Sequence, residues 1–153
     1  GKASLVGIVT GMVAGLATIT PASGFVGPVG AFFIGLMAGV LCHFCVEWIK
    51  QKIQIDDSLD VFAVHGVGGA LGTLLTAFFA AASLGGMGLA EGTTMGSQFG
   101  VQVIGVLAVL VWSVVVSYII IKIVSATVGL RIAEEDEIEG LDLVSHGERG
   151  YDL

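Results

Sequence analysis

The stretch DSLDVFAVHGVGGALGTLLTAFFA, residues 57–80, is the segment around which the chain is organised. It is apolar enough to cross a bilayer, yet it contains one histidine, His65, well inside its length. An ionisable group in a membrane helix is costly, so it usually faces the interior of a helix bundle or a water-filled path. The glycines that follow the histidine would let neighbouring helices approach closely; they are Gly66, Gly68, Gly69 and Gly72.

Two carboxylates precede that histidine, at Asp57 and Asp60. Asp57 is expected to cap the N-terminus of the helix, with Asp60 three residues further on. Both negative charges favour the positive end of the helix dipole. Capping alone therefore accounts for at least one of the two carboxylates without any further function.

Composition places the chain among membrane proteins. Of its 153 residues, 55% are hydrophobic and 12% are charged, and the mean hydropathy is +0.96. A globular domain has about 25% charged residues, and a soluble chain this short cannot bury so much apolar surface. No basic patch is present, which argues against a nucleic-acid partner.

Four apolar segments predict an all-α membrane protein, with four transmembrane helices in residues 1–127 and an acidic tail in residues 128–153. With four spans, all six basic residues fall on one side of the bilayer, and the positive-inside rule makes that side cytoplasmic. Both ends of this multi-pass protein of the cell membrane are therefore expected in the cytoplasm. The helices are expected at about 4–20, 29–50, 57–80 and 97–124.

Small residues suggest how the helices pack. Gly7, Gly11 and Gly15 recur every four residues, which predicts a tight helix–helix contact. Cys42 and Cys45 are expected to be small packing residues, because a redox motif belongs near a βαβ pattern and a metal site would need further ligands. Neither a metal nor a cofactor is expected.

The end of the second span predicts a membrane interface. Trp48 stands there beside Lys50 and Lys52, a combination typical of an interfacial anchor. His43 and Glu47 are four residues apart near the same end and could pair.

The chemistry of a buried imidazole limits what His65 can do. A neutral imidazole accepts a proton at one nitrogen and donates at the other, and burial in an apolar wall opposes its protonation. It therefore suits holding a small polar molecule, such as ammonia or water, and is poor at holding a bare cation. A packed, hydrogen-bonded structural histidine is the alternative from spacing alone.

The residues also carry a family resemblance. DDSLDVFAVHGVGGALGTLLTAFFA, residues 56–80, resembles the signature of the ammonium transporter (Amt/Mep/Rh) family, on its Amt branch. The likeness extends through ATITPASGFV at 17–26, SLGGMGLAEGTTMG at 83–96 and VGLRIAEEDEIEGLDLVSHGERGYDL at 128–153. It covers essentially the whole chain, with several motifs in the family's order.

The resemblance implies a fold of about eleven helices in two inverted repeats, assembled as a homotrimer in which each subunit has its own pore. This chain resembles the last four helices and the cytoplasmic tail, and is expected to be a fragment. The first histidine of the family's twin pair, its external ammonium site and its phenylalanine gate belong to the first seven helices, which this chain lacks.

Roles for individual residues follow from the resemblance alone. His65 resembles the second member of the twin-histidine pair that lines the pore. Asp57 resembles the carboxylate that stabilises the repeat, and Thr20 a residue close to the outer vestibule. Val61 and Phe62 resemble apolar pore wall or its backing.

The tail resembles the family's tail motif, which packs under the neighbouring subunit and couples the trimer. A nitrogen-regulatory PII protein is the candidate partner at that cytoplasmic face. Val144 stands where the plant branch has a regulatory threonine, which puts that phosphorylation switch in doubt. The tail residues assigned in this way are Arg131, Gly140, Leu141, Asp142, His146, Gly147 and Glu148.

Three functions are open at this point. The first is transport of ammonium or ammonia through a hydrophobic twin-histidine pore. The second is an ammonium sensor that signals through its tail to a PII-type regulator, and the third is a structural membrane piece with a satisfied histidine. An enzyme is disfavoured, because no nucleophile–base pair, phosphate loop or metal cluster is visible in the sequence.

Overall fold

The protein is described by a computed structural model that covers residues 4–150. In that part of the chain the regular structure is entirely helical, which confirms the predicted all-α class. Four helices are long and apolar enough to cross a membrane, as predicted. Their bounds are Leu5–Ala22, Pro28–Ile53, Phe62–Phe79 and Met95–Thr127.

The backbone chemistry of the residues at their ends explains where the first two helices begin and end. Helix α1, Leu5–Ile19, is capped by Ser4, whose Oγ accepts from the backbone N–H of Gly7 at 3.1 Å. It tightens into a 3-10 turn, Thr20–Ala22, at Pro21, which has no N–H to donate. The next helix also starts at a proline, where a missing N–H costs nothing. This is α2, Pro28–Trp48, which runs on into a π-helical turn, Ile49–Ile53.

The third span starts later than predicted. A π-helical turn, Phe62–Val67, leads into α3, Gly68–Phe79. The predicted start at residue 57 is wrong by about four residues, because the backbone of Asp60 is left-handed, with φ of 57°. An α-helix cannot pass through a left-handed residue, so residues 57–60 form the turn before the helix.

Each of the first three helices buries a row of residues spaced four apart. At Gly11 and Gly15 the predicted contact is not found within residues 4–150, since an added Cβ at either would meet nothing there within 4 Å. The buried row on α1 instead carries Ala14 and Thr18. The buried rows on the other two helices are Gly30, Ile34, Ala38 and Cys42 on α2, and Gly68, Gly72 and Thr76 on α3.

The closest approach is between α1 and α3. A Cβ built on Gly72 would lie 1.8 Å from the carbonyl oxygen of Thr18, and one on Gly68 would lie 2.6 Å from the Thr18 Oγ1. Real Cβ atoms do not come so close to other atoms, so only glycine fits at these two positions. The backbones of α1 and α3 are therefore in direct contact.

The chain divides into two units, residues 1–108 and 109–153. Helix α4, Met95–Thr127, runs from the first into the second and buries none of its residues in the described chain. Its start is capped reciprocally: Thr94 Oγ1 accepts from the Ser97 N–H, and Ser97 Oγ accepts from the Thr94 N–H. In the first unit, the Phe99 ring on α4 lies 5.3 Å from Phe78.

The second unit ends in two short helices, α5, Glu134–Glu139, and α6, Leu141–His146. Gly129, with φ of 82°, ends α4 in the left-handed conformation. Arg131 Nη2 lies 3.3 Å from Glu137 Oε2. Both groups are exposed, so this ion pair contributes little to stability.

Candidate functional site

Asp57 caps the helix that carries His65, although Asp57 itself lies four residues before Val61, where the helix begins. Its Oδ1 accepts from the N–H of Val61 and its Oδ2 from the N–H of Phe62, both at 2.9 Å. A carboxylate here satisfies two orphan donors at the positive end of the helix dipole. The predicted capping chemistry is therefore present, although Asp57 does not occupy the N-cap position.

Asp60 does something different from Asp57. Its Oδ1 lies 2.6 Å from Lys50 Nζ, on the π-helical turn that ends α2. Its carbonyl oxygen accepts from the Val64 N–H at 2.9 Å. The sequence predicts only an interfacial anchor at Lys50, and the pair with Asp60 is not among the sequence-based expectations. Opposite charges ten residues apart, flanking one loop, were the signal that could have revealed it.

His65 lies in the π-helical turn with its side chain on an exposed face. Val61, just before this turn, and Phe62, its first residue, are also half-exposed, at 50% and 57%. Ala63 and Val64 are the buried residues of this turn. The expected burial of His65 in an apolar wall is therefore not found within residues 4–150, because the described helices cover only the opposite face.

Within the described part of the chain the His65 imidazole has no hydrogen-bond partner. A histidine held by hydrogen bonds would have a structural explanation. The contacts within residues 4–150 supply none.

The four glycines near His65 do two different things. Gly68 and Gly72 face α1 and permit the close contact of the two backbones. Gly69 has open space around it, and a Cβ on Gly66 would meet only the ring of Phe62, at 3.3 Å. Only two of the four therefore serve the tight packing that the sequence predicts.

Thr20 lies at the C-terminal end of α1, where α1 packs against α3. Its hydroxyl donates to the Leu16 carbonyl oxygen at 2.7 Å, so it is satisfied within α1. The next residue, Pro21, approaches α3 at Gly72, seven residues beyond His65. The structure thus places His65 in the same segment as Asp57, Val61 and Phe62. Thr20 lies instead near Gly72, further along the third span.

A shallow groove of about 440 Å³ runs between α1, α2 and the turn before the third span. Asp60 and Val64 line it at one side, and His43 and Cys42 at another. His65 does not line it. His43 Nε2 lies 3.7 Å from Glu47 Oε1, which agrees with the pairing suggested by their spacing.

The cysteines are free, and Cys42 is buried in the core beside Ala14 and Val64. The described residues contain no group of three or more histidine, cysteine or acidic side chains that could hold a metal ion. Thr18 is fully buried, and its hydroxyl has no hydrogen-bond partner in this part of the chain.

In the tail, Asp142 closes a loop between α6 and the residues after it. Its Oδ1 accepts from the Leu143 N–H and its Oδ2 from the Gly150 N–H, both at 3.0 Å. The Gly150 and Leu143 amides hold the pKa of this exposed carboxyl below its ordinary value of 3.8. Gly140 and Gly147 bracket α6 with positive φ, at 108° and 65°.

The lowered pKa predicts how the tail responds to acid. The loop closed by Asp142 is favoured fully above the ordinary pKa and loses that contribution as the pH falls through the lowered value. Asp142→Asn should mimic the protonated state and speed hydrogen exchange at Leu143 and Gly150 at neutral pH. Exchange rates of the tail, corrected for intrinsic pH dependence, measure this.

Glu148→Gln is the matched control, because the Glu148 side chain makes no hydrogen bond in the described tail. Equal tail exchange in the Asp142→Asn variant and the unsubstituted protein at neutral pH would contradict the closed loop.

The chain is similar to known proteins over essentially its whole length. The model of the Ammonium Transporter Family matches residues 1–151. The ammonium transporter of Aquifex aeolicus is 46% identical over 100% of the chain, and the putative ammonium transporter of Methanothermobacter thermautotrophicus is 45% identical over 100%. A solved structure named Sensor Amt Protein covers 95% of the chain at 35% identity, with a TM-score of 0.83.

The chain is short beside these relatives. It spans 36% of the Aquifex aeolicus protein, 38% of the Methanothermobacter thermautotrophicus protein and 35% of the solved structure.

Proposed function

The chain belongs to the ammonium transporter family, a family of transporters and not of enzymes, and from that membership we propose that it forms the last four membrane helices and the cytoplasmic tail of an ammonium transporter. The observation that carries this proposal is His65. It stands at the start of the third span, on a face shared with apolar Val61 and Phe62, with no hydrogen-bond partner in residues 4–150.

In the proposed mechanism, the His65 imidazole is the second of two pore-lining histidines, and the preceding part of the transporter supplies the first. Ammonium loses a proton at the outer side, ammonia passes a hydrophobic lumen, and the proton is carried separately along the histidines, so that net transport moves charge. Val61 and Phe62 form apolar wall, which disfavours a charged species. A neutral imidazole can donate to or accept from ammonia in file, and can relay a proton.

The capped turn supports that role. Asp57 binds the N–H groups of Val61 and Phe62, the two wall residues next to the histidine. Removing a carboxylate from such a site frees two backbone donors, so the direction of the first helical turn depends on it. Asp57 thus acts on the pore through the backbone, in keeping with a carboxylate that stabilises the repeat.

The proposal includes an arrangement in the membrane. Both ends of the chain lie in the cytoplasm, since the basic residues lie on that side of the four spans. The whole transporter is a homotrimer in the cell membrane, and the tail, from Arg131 through the motif at 140–148, couples its subunits and offers a PII-type regulator a docking face.

A chimera tests the transport function directly. In it, this chain replaces the matching stretch of the Aquifex aeolicus relative, which supplies the remaining helices. We expect the chimera to give an ammonium-elicited current in reconstituted membranes. The intact relative is the positive control, and the relative ending before the replaced stretch is the negative control. A folded, membrane-inserted chimera that conducts no more than the negative control contradicts the proposal.

A sensor is the second candidate, because the matching solved structure is named Sensor Amt Protein. Deletion of residues 128–153 from the chimera separates the two functions. A sensor loses its signal to a regulator when the tail is removed, whereas a transporter mainly changes its flux.

A further inference from the structure

We propose that Lys50 and Asp60 form a positioning pair that holds the π-helical turn, and with it His65, in the register that the pore requires. This inference rests on the proposed transport function and goes beyond it. It assigns to two residues outside the pore wall an effect on the orientation of the pore histidine.

The geometry of Asp60 makes it a junction between two helices. Its carboxylate lies 2.6 Å from Lys50 Nζ at the end of α2, and its carbonyl oxygen binds the Val64 N–H in the turn that holds His65. The Asp60 side chain is 16% exposed and the Lys50 side chain 41%, so the carboxylate end of the pair is shielded from water and the ammonium end is partly open to it. Shielded opposite charges interact more strongly than surface ones, and removing one leaves the other poorly solvated.

The backbone of Asp60 adds a second constraint. Its φ of 57° is a conformation that L-residues rarely adopt, although aspartate and asparagine tolerate it better than others. Such a conformation persists when the surroundings hold it in place. The ion pair to Lys50 is the contact outside the turn itself that holds Asp60 there.

The π-helical turn gives these contacts a consequence for His65. A π-helical turn contains one more residue per turn than an α-helix needs, and it occurs frequently at functional sites. If Phe62–Val67 relaxed to α-helical geometry, residues before Gly68 would rotate by about 100° per residue of register change. That rotation would turn His65 and Phe62 together relative to Gly68 and the helices against which Gly68 packs.

Asp57 and Asp60 therefore have separable roles. Asp57 satisfies the N–H groups of Val61 and Phe62 from the short stretch just before them in the chain. Asp60 connects that turn to a different helix, through Lys50. Of the two carboxylate contacts, only the second links the turn to α2, against which Val64 also packs beside Cys42.

The test uses the chimera with charge-removing variants at both partners. Asp60→Asn keeps the side-chain shape, and asparagine tolerates the left-handed backbone. Lys50→Met keeps approximately the length of the lysine side chain. We expect each to lower the maximal ammonium-elicited current about tenfold or more, the scale of a small misplacement of a reacting group, with little change in the half-saturating concentration. Lys50→Arg, which keeps the charge, should restore most of the current.

Two further variants separate positioning from general stabilisation. Lys52→Met is the matched control, because Lys52 contacts no carboxylate in residues 4–150, and it should leave the current unchanged. The double variant, Lys50→Met with Asp60→Asn, should be no worse than either single variant, since both remove one contact. Full current in the single variants, or additive losses in the double variant, would overturn the proposal.

A structural readout keeps this test separate from the transport hypothesis. A cryo-EM structure of the Asp60→Asn chimera should show His65 and Phe62 rotated relative to Gly68, which stays packed against Thr18. An unsubstituted chimera without current would contradict the proposed transport function, and the position of His65 would still decide the positioning pair. An unmoved His65 in the Asp60→Asn structure would refute it.

Discussion

Replacing Gly72 with alanine should prevent the first and third spans from packing together. The added Cβ would lie 1.8 Å from the Thr18 carbonyl oxygen, 2.9 Å from its carbonyl carbon and 3.4 Å from Pro21 Cδ. Two of these atoms are backbone, so no side-chain rotation can relieve the overlap. Overpacking against side chains costs about 1–3 kcal/mol; here α1 and α3 must separate, and we expect a cost above about 3 kcal/mol.

The measurement is the thermal stability and size-exclusion profile of the chimera in detergent. Gly69→Ala is the matched control, three residues earlier in the same helix, because its Cβ would meet nothing within 4 Å. Alanine there is expected to be neutral or stabilising by up to about 1 kcal/mol, from its higher helix propensity. Equal stability of the two alanine variants would show that α1 and α3 are not in backbone contact.

Replacing His65 with alanine should abolish the ammonium-elicited current of the chimera while leaving its stability unchanged. The side chain is exposed in the described range and makes no hydrogen bond there, so its removal takes little from the packing of residues 4–150. A positioned proton-transfer group typically contributes on the order of 100-fold or more. We therefore expect at least that loss in current.

His43→Ala is the control for removing a histidine as such. His43 lies on α2, pairs with Glu47 and is exposed, so its loss should leave the current near that of the unsubstituted chimera. His65→Gln then separates two roles of the imidazole, because an amide can donate and accept hydrogen bonds but cannot relay a proton. Unchanged current and selectivity in His65→Ala would remove His65 from the pore.

The sequence predicted the number and class of the helices well, because apolar segments of sufficient length have no other stable state in a bilayer. It predicted the start of the third span poorly. From the sequence, residues 57–60 are compatible with a first helical turn. Only the left-handed backbone of Asp60 shows that they are not helical. The pairing of Lys50 with Asp60 depends on the same loop conformation.

The glycines show most clearly what a sequence leaves open. Small residues spaced four apart occur on several faces: Gly7 to Gly15, Ala14 and Thr18, and Gly68 and Gly72. Each pattern permits close packing, but a helix has only one face against each neighbour. Ala14, Thr18, Gly68 and Gly72 are buried, whereas Gly11 and Gly15 contact nothing that an added Cβ would reach.

The residues alone predict a helical membrane protein of the ammonium transporter family with one histidine in its third span. Hydrophobic length and motif order are local properties, so they can be read from the chain. Only the tertiary structure decided that His65 shares an exposed face with Phe62, that Asp57 and Asp60 bind different partners, and that Gly72 touches Thr18. These depend on the rotation of one helix against another, which is set by contacts between residues far apart in the chain.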